Sequence, residues 1–141
     1  MANIEFSYRQ FQEKDKYKIS NLMKKLYRED SKGKLMTNDK IYKTFQELKD
    51  HPEKGNIILI ETENSIIGYC LIINYWSNEY SGNILTIDEL FIEPAYRNKQ
   101  ISTNFIKYLI KTSISFWNVT KISFKLTKIK FFAVKNPICK I

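Results

Sequence analysis

Apolar side chains recur along this chain at two spacings, which separate predicted helices from predicted strands. Intervals of three and four residues place them on one side of a helix, whereas alternation places them on one face of a strand. The helical spacing occurs over Asp15–Tyr27, over a segment that Thr37 caps and that ends near Lys49, and over Ser102–Ser115. Three amphipathic helices are therefore predicted.

Runs rich in β-branched residues and bounded by turn residues predict five strands. They are Ile4–Tyr8, Ile57–Glu61, Ile66–Tyr75, Ile84–Ile92 and Val119–Leu126. Turn residues at positions 63–65 join the second and third strands into a predicted hairpin, and 76–82 is predicted as a polar loop. The last helix joins two strands, which requires a right-handed crossover between parallel strands, so the sheet should be mixed.

The predicted element order is therefore β, α, α, β, β, β, α, β. A chain of 141 residues has the size of one ordinary domain, and no repeat or Pro/Gly/Ser-rich linker divides it. We expect an α/β (α+β) fold in which residues 1–141 form a single domain, with a mixed central sheet flanked by helices.

Composition narrows the classes of protein. No apolar run approaches the roughly 20 residues that cross a bilayer, and the N-terminus lacks the layout of a secretory signal, so a cytoplasmic protein without membrane contact is expected. Cys70, Cys139 and the single histidine, His51, have no metal-ligand spacing. Two free thiols and no metal site are expected.

Positive charge is concentrated in the C-terminal third. All fifteen acidic residues lie at or before Glu93, whereas residues 97–141 hold ten Lys or Arg and no Asp or Glu. The candidate partners are nucleic acid, an anionic membrane and a polyphosphate cofactor, and a solvated lysine-rich surface is the alternative. The absence of any nucleic-acid-binding motif disfavours the first of these.

The most informative segment runs from Ile84 to Lys111 as a strand, a short basic loop and a helix. The first N–H groups of a helix have no partner within it, and with the helix dipole they form a site for phosphate. Arg97 and Lys99 add positive charge there. The segment is therefore predicted to hold a pyrophosphate.

Within this segment, Leu90-Phe91-Ile92-Glu93-Pro94-Ala95-Tyr96-Arg97 resembles the central motif of the GNAT superfamily of N-acetyltransferases, and the element order resembles that fold. The resemblance implies that acetyl-CoA is the co-substrate. It implies that the strand splays from its neighbour, so that free backbone groups at Leu90, Phe91 and Ile92 bind the pantetheine arm. It also implies that the following loop holds the pyrophosphate, through Arg97, Asn98, Lys99, Gln100, Ile101, Ser102 and Thr103.

The loop departs from the family pattern at two positions. Gln100 and Ser102 stand where the family places small residues, usually glycine. The side chain of Gln100 restricts the backbone and takes up space near the ligand, whereas the hydroxyl of Ser102 can donate to phosphate. A member of the fold that binds CoA weakly and does not catalyse is therefore the alternative hypothesis.

Asp88 and Glu89 are the candidate catalytic residues. Acetylation needs a neutral amine, but a primary amine with a pKa of about 10 is mostly protonated at pH 7. A carboxylate on the active-site strand can accept the proton, directly or through water, and the family often uses an acid here. Alternation predicts that the two carboxylates point to opposite faces, and either one could be the base. A strand carboxylate paired with Lys or Arg is the structural alternative.

The segment Tyr75–Gly82, followed by Asp88–Ile92, is loosely similar to the diamine and polyamine acetyltransferase branch. The likeness implies an acceptor cleft lined by aromatic and acidic side chains, to which Glu29 and Asp30 would add negative charge. The expected acceptor is the primary amine of a small cationic molecule, polyamine-like or aminoglycoside-like.

The C-terminal segment departs most from the family. Members usually continue with a helix, whose tyrosine protonates the leaving thiolate, and a final strand, but no tyrosine occurs here after Tyr108. Residues 128–141 are too few to supply both elements, so we expect them to be shortened, with another group or water as the acid. Alternatively, a partner chain completes the sheet edge, which would make a homodimer.

Overall fold

The computed structural model describes residues 4–30, 34–116, 119–124 and 129–130. Within these ranges the helices are α1 (Lys16–Glu29), α2 (Asn38–Asp50) and α3 (Ile101–Phe116). The strands are β1 (Ser7–Gln10), β2 (Gly55–Glu61), β3 (Ile66–Ser77), β4 (Gly82–Ile92), β5 (Val119–Phe124) and β6 (Ile129–Lys130). The predicted order is confirmed from β1 to β5, and β6 was not predicted.

Most differences from the predicted elements lie at their ends. β1 begins at Ser7 rather than Ile4, because its ladder with β2 starts where Ser7 pairs with Glu61. β3 extends through Ser77, beyond the predicted end, because it pairs with the start of β4. Thr37 caps α2 as predicted, since its hydroxyl accepts a hydrogen bond from the Lys40 N–H. Leu126, the predicted end of β5, lies outside the described residues.

The sheet is mixed, as predicted. Its order is β1-β2-β3-β4-β5, in which the first four strands are antiparallel and β5 runs parallel to β4. One edge of β4 pairs with β3, and its other edge pairs with β5 as far as Ile87 and with β6 at Leu90 and Phe91. β4 is therefore the strand to which most of the sheet connects.

Apolar side chains pack on both faces of this sheet. One face is covered by α3, which buries Phe105 and Leu109 against Leu85 and Ile87 of β4. The other face is covered by α1 and α2, whose apolar stripes pack with residues that include Phe91. Neighbouring residues of β4 thus belong to different cores, and the direction of each β4 side chain decides which helix it meets.

The expectations about membrane contact and about the two cysteines can be compared only with the described residues. Within the described residues, none of the helices has the length and apolar character that crossing a membrane requires. Of residues 128–141 only 129–130 are described, and Cys139 lies outside the described residues, while Cys70 is a buried free thiol.

Candidate functional site

A β-bulge in β4 lies at Asp88. Leu71 of β3 pairs with Glu89 and the next residue, Ile72, pairs with Ile87, so the register skips Asp88. Ile87 packs against α3, whereas Glu89 contacts α1 on the opposite face, although positions 87 and 89 of a regular strand would share a face. The prediction that the two carboxylates point to opposite faces assumed regular alternation, which the bulge interrupts at Asp88, so it stays a prediction.

Glu89 is buried, with 5% of its surface exposed, and two tyrosines bind it. The Tyr27 hydroxyl donates to Oε2 at 2.9 Å, and the Tyr69 hydroxyl donates to Oε1 at 2.7 Å. Burial, reinforced by the charge of Glu89, raises the pKa of both phenols. Both tyrosines therefore remain protonated donors at neutral pH, and Glu89 joins α1, β3 and β4.

Asp88 is only half-buried. Its negative charge contributes, after burial and Glu89, to the raised pKa of Tyr27 and to that of the Cys70 thiol. A half-buried carboxylate therefore directly precedes a buried one at the bulge. The sequence left the roles of the two acids open, and their exposure now separates them.

Sequence reasoning missed Tyr27 and Tyr69 as site residues. The aromatic side chains predicted to line the acceptor cleft belong to the segment Tyr75–Gly82, near the β3–β4 turn. Tyr75 pairs with Ile84, which lies on the order of 13 Å along β4 from Asp88. Tyr27 lies four residues after the buried Met23, at the edge of the apolar stripe of the helix. A hydroxyl at that position was the feature of the sequence that could have indicated a buried hydrogen bond.

The loop after β4 has a backbone that glycine would favour. Asn98 and Gln100 lie in the left-handed region, with φ values of 63° and 60°. The Gln100 carbonyl accepts the Asn104 N–H at 3.0 Å, so α3 begins directly after Gln100. The N–H groups of residues 101–103 thus form the free first turn of the helix, which suits a pyrophosphate.

Replacing Gln100 tests whether this loop is strained. We expect Gln100→Gly to raise the free energy of unfolding by about 0.5–1 kcal/mol, because relief of about 1–2 kcal/mol of left-handed strain is partly offset by the greater freedom of glycine in the unfolded chain. Urea denaturation measures the change. Gln100→Ala is the matched control, since it removes the same side chain and keeps the strain. Equal stability of the two variants would contradict a strained backbone at this position.

Arg97 was predicted to hold the pyrophosphate, but its guanidinium binds two protein groups. Nε donates to the Ile92 carbonyl at 2.8 Å and Nη2 to the Glu29 carboxylate at 2.8 Å. The guanidinium also lies 5.3 Å from the centre of the Phe91 ring. Arg97 therefore ties the end of β4 to the end of α1, and Glu29, which was expected to add charge to an acceptor cleft, forms an ion pair instead.

The other loop side chains differ in what they can offer a ligand. Ile101 and Ser102 are buried and Thr103 is half-buried. Lys99 is exposed, with its Nζ 5.6 Å from the centre of the Tyr96 ring. Lys99 is therefore better placed than Arg97 to meet an anion at the start of α3.

Free backbone groups were expected at Leu90, Phe91 and Ile92, but the structure pairs part of this edge of β4. Within the described residues, β5 pairs with β4 as far as Ile87, which meets Phe124. β6 then pairs in parallel with Leu90 and Phe91. The residues of the loop suit acetyl-CoA, whereas β6 pairs with the edge at Leu90 and Phe91 that the resemblance assigned to pantetheine.

The sequence matches the acetyltransferase (GNAT) family over residues 17–133. A search of curated proteins found no match.

Solved structures show the same fold. A possible acetyltransferase from Clostridium difficile 630 is 20% identical with a TM-score of 0.73, over 87% of this chain and 80% of that one. The glucosamine-6-phosphate N-acetyltransferase from Arabidopsis thaliana is 18% identical with a TM-score of 0.67, over 94% and 85%. The aminoglycoside N-acetyltransferase AAC(6')-Iy in complex with CoA is 12% identical with a TM-score of 0.70, over 88% and 78%.

Proposed function

The chain belongs to the acetyltransferase (GNAT) family, whose members are acyltransferases that use acetyl-CoA, and we propose that it acetylates the primary amine of a small cationic acceptor. The observation that carries this proposal is Asp88, a half-buried carboxylate at the bulge of β4. Two proteins of similar fold are named for acetylating glucosamine-6-phosphate and aminoglycosides, which supports an amine acceptor. Polyamine-like and aminoglycoside-like molecules are the classes to test.

Asp88 is proposed to accept the proton of the acceptor. Its charge attracts the ammonium form, which dominates at pH 7, and removal of a proton by the carboxylate or through one water exposes the nitrogen lone pair. When bound, acetyl-CoA would supply a thioester whose carbon–sulfur bond breaks as the new carbon–nitrogen bond forms, and CoA would leave as a thiolate that takes a proton from water to become the thiol. Glu89 is buried and holds two hydrogen bonds, so we assign the proton to Asp88 rather than to Glu89.

The pyrophosphate of acetyl-CoA is proposed to bind at the start of α3. The N–H groups of residues 101–103 would donate to it, helped by the dipole of a sixteen-residue helix. Lys99 would add positive charge from the solvent side, while Arg97 supports the loop through its hydrogen bond to the Ile92 carbonyl. The left-handed residues Asn98 and Gln100 form the turn that directly precedes these groups.

Acetyl-CoA binding and turnover test the proposal. Acetyl-CoA at 100 times its dissociation constant should stabilise the fold by about 2.7 kcal/mol, seen as a rise in Tm. Thiol release should follow when polyamines or aminoglycosides are added. Lys99→Ala should weaken the Tm rise, whereas Lys107→Ala, an exposed lysine on α3, should not. No Tm change at millimolar acetyl-CoA, or no thiol release with any amine, would count against the proposed function.

A catalytically weak, CoA-binding protein is the second candidate. Two observations favour it: β6 pairs with β4 at Leu90 and Phe91, and Gln100 stands in the loop where the family usually has glycine. This candidate predicts a Tm rise with acetyl-CoA without thiol release. Thiol release with any of the polyamines or aminoglycosides therefore separates an active acetyltransferase from a protein that only binds CoA.

A further inference from the structure

We propose that Tyr27 and Tyr69 are positioning residues for acetyl transfer: by holding Glu89, they fix the bulge of β4 that presents Asp88 to the acceptor. The inference rests on the proposed function, since it gives Asp88 the proton-accepting role. Glu89 supports the strand and does not touch the acceptor.

The two hydrogen bonds leave Glu89 one favourable position. Each carboxylate oxygen accepts one tyrosine hydroxyl, at 2.9 Å from Tyr27 and at 2.7 Å from Tyr69. A buried carboxylate that loses its donors loses the compensation for leaving water, so the side chain cannot turn away without a large cost. Because the donors come from α1 and β3, Glu89 follows the positions of both elements.

The position of Glu89 is transmitted to Asp88 through the bulge. The β3 ladder passes from Ile87 directly to Glu89, so Asp88 is the extra residue whose direction depends on its two neighbours. Ile87 is held by the packing of α3, and Glu89 is held by the tyrosines. A shift of Glu89 would therefore rotate the peptide that carries the Asp88 carboxylate.

The rings of Tyr27 and Tyr69 pack in the core, whereas their hydroxyls hydrogen-bond to Glu89, and the two roles can be tested separately. Tyr69 is fully buried and stacks with Phe91, and Tyr27 packs at the edge of the same core. Replacement by phenylalanine keeps the ring and deletes only the hydroxyl. An effect of Tyr27→Phe on catalysis thus reports the hydrogen bond to Glu89 rather than the packing of α1.

Steady-state kinetics of Tyr27→Phe provide the main test. We expect kcat to fall about 10-fold, because small displacements of a reacting group cost rate steeply, while KM for acetyl-CoA stays within about two-fold. Tyr17→Phe is the matched control, since Tyr17 lies on the same helix and is 78% exposed, and it should leave kcat unchanged. Glu89→Gln should lower kcat in the same way and serves as the second variant if Tyr27→Phe unfolds.

A second readout does not depend on turnover. The negative charges that raise the pKa of Tyr27, beyond burial, are Glu89 and Asp88 on β4 and Asp30 after α1. Glu89→Gln removes the largest of them, so the pKa of Tyr27 should fall towards its ordinary value. Ring-carbon NMR of labelled tyrosine follows it, and the signal absent in Tyr27→Phe gives the assignment. An unchanged Tyr27 titration in Glu89→Gln would overturn the inference that Tyr27 holds Glu89.

The outcomes separate this inference from the proposed function. A wild-type protein that releases thiol, with Tyr27→Phe and Glu89→Gln both matching its kcat, would overturn the inference and leave the function standing. A wild-type protein without thiol release would overturn both. A fall in kcat for these two variants, with Tyr17→Phe unaffected, supports the positioning role.

Discussion

Asp88→Asn is expected to lower kcat/KM for the amine by about 100-fold or more, because a positioned general base contributes about 10²–10⁴ to rate. The substitution keeps the size of the side chain and removes its charge and its basicity. Acetyl-CoA should still raise Tm by the same amount, since the loop at residues 97–103 is untouched. Thiol release at saturating acetyl-CoA measures the loss.

The pH dependence tells a base from a structural residue. At high pH more of the acceptor is already neutral, so the defect of Asp88→Asn should shrink as pH rises towards the amine pKa of about 10. Asp39→Asn, on the exposed side of α2 where it pairs with Lys43, is the control and should behave as wild type. A pH-independent defect in Asp88→Asn would instead indicate that Asp88 holds the strand in place.

Arg97→Ala is expected to lower the free energy of unfolding by about 2–3 kcal/mol, because hydrogen bonds to charged groups in partly buried sites contribute about 1.5–3 kcal/mol. The side chain of Arg97 is only 15% exposed and binds both the Ile92 carbonyl and Glu29. Its loss leaves a strand-end carbonyl and a carboxylate without their donor. Urea denaturation measures the change.

The same variant decides between two roles for Arg97. If the guanidinium supports the loop, Arg97→Ala should still gain stability from acetyl-CoA at a temperature where it remains folded. Arg28→Ala, an exposed arginine one residue before Glu29, is the control for general loss of positive charge near α1. A variant of normal stability that no longer responds to acetyl-CoA would show that Arg97 binds the pyrophosphate, as its position in the sequence predicted.

Local patterns were sufficient for most of the elements. The helical stripe of α1 and the β-branched runs of β2 to β4 depend on neighbours close in the chain, so periodicity located them to within a few residues. The mixed sheet followed from the order of elements and the handedness of crossovers. β6 was not predicted because a strand of two residues is too short to show an alternation of apolar and polar side chains.

The site was harder to predict because its residues act across long separations in the sequence. Tyr27 meets Glu89 across sixty-two positions, and Arg97 meets Glu29 across sixty-eight. Spacing along the chain carries no information about such pairs. The loop is a further example, since Gln100 adopts a left-handed conformation although its side chain restricts the backbone more than glycine would.

By itself the sequence determined the order of elements, the family and the position of the strand, loop and helix where the cofactor is proposed to bind, because these follow from local pattern and motif. Only the tertiary structure decided what the charged residues do. It placed a bulge at Asp88, buried Glu89 between two tyrosines, and engaged Arg97 in contacts within the protein. The physical reason is that exposure and hydrogen-bond partners set the chemistry of a charged side chain, and both arise only when distant segments pack together.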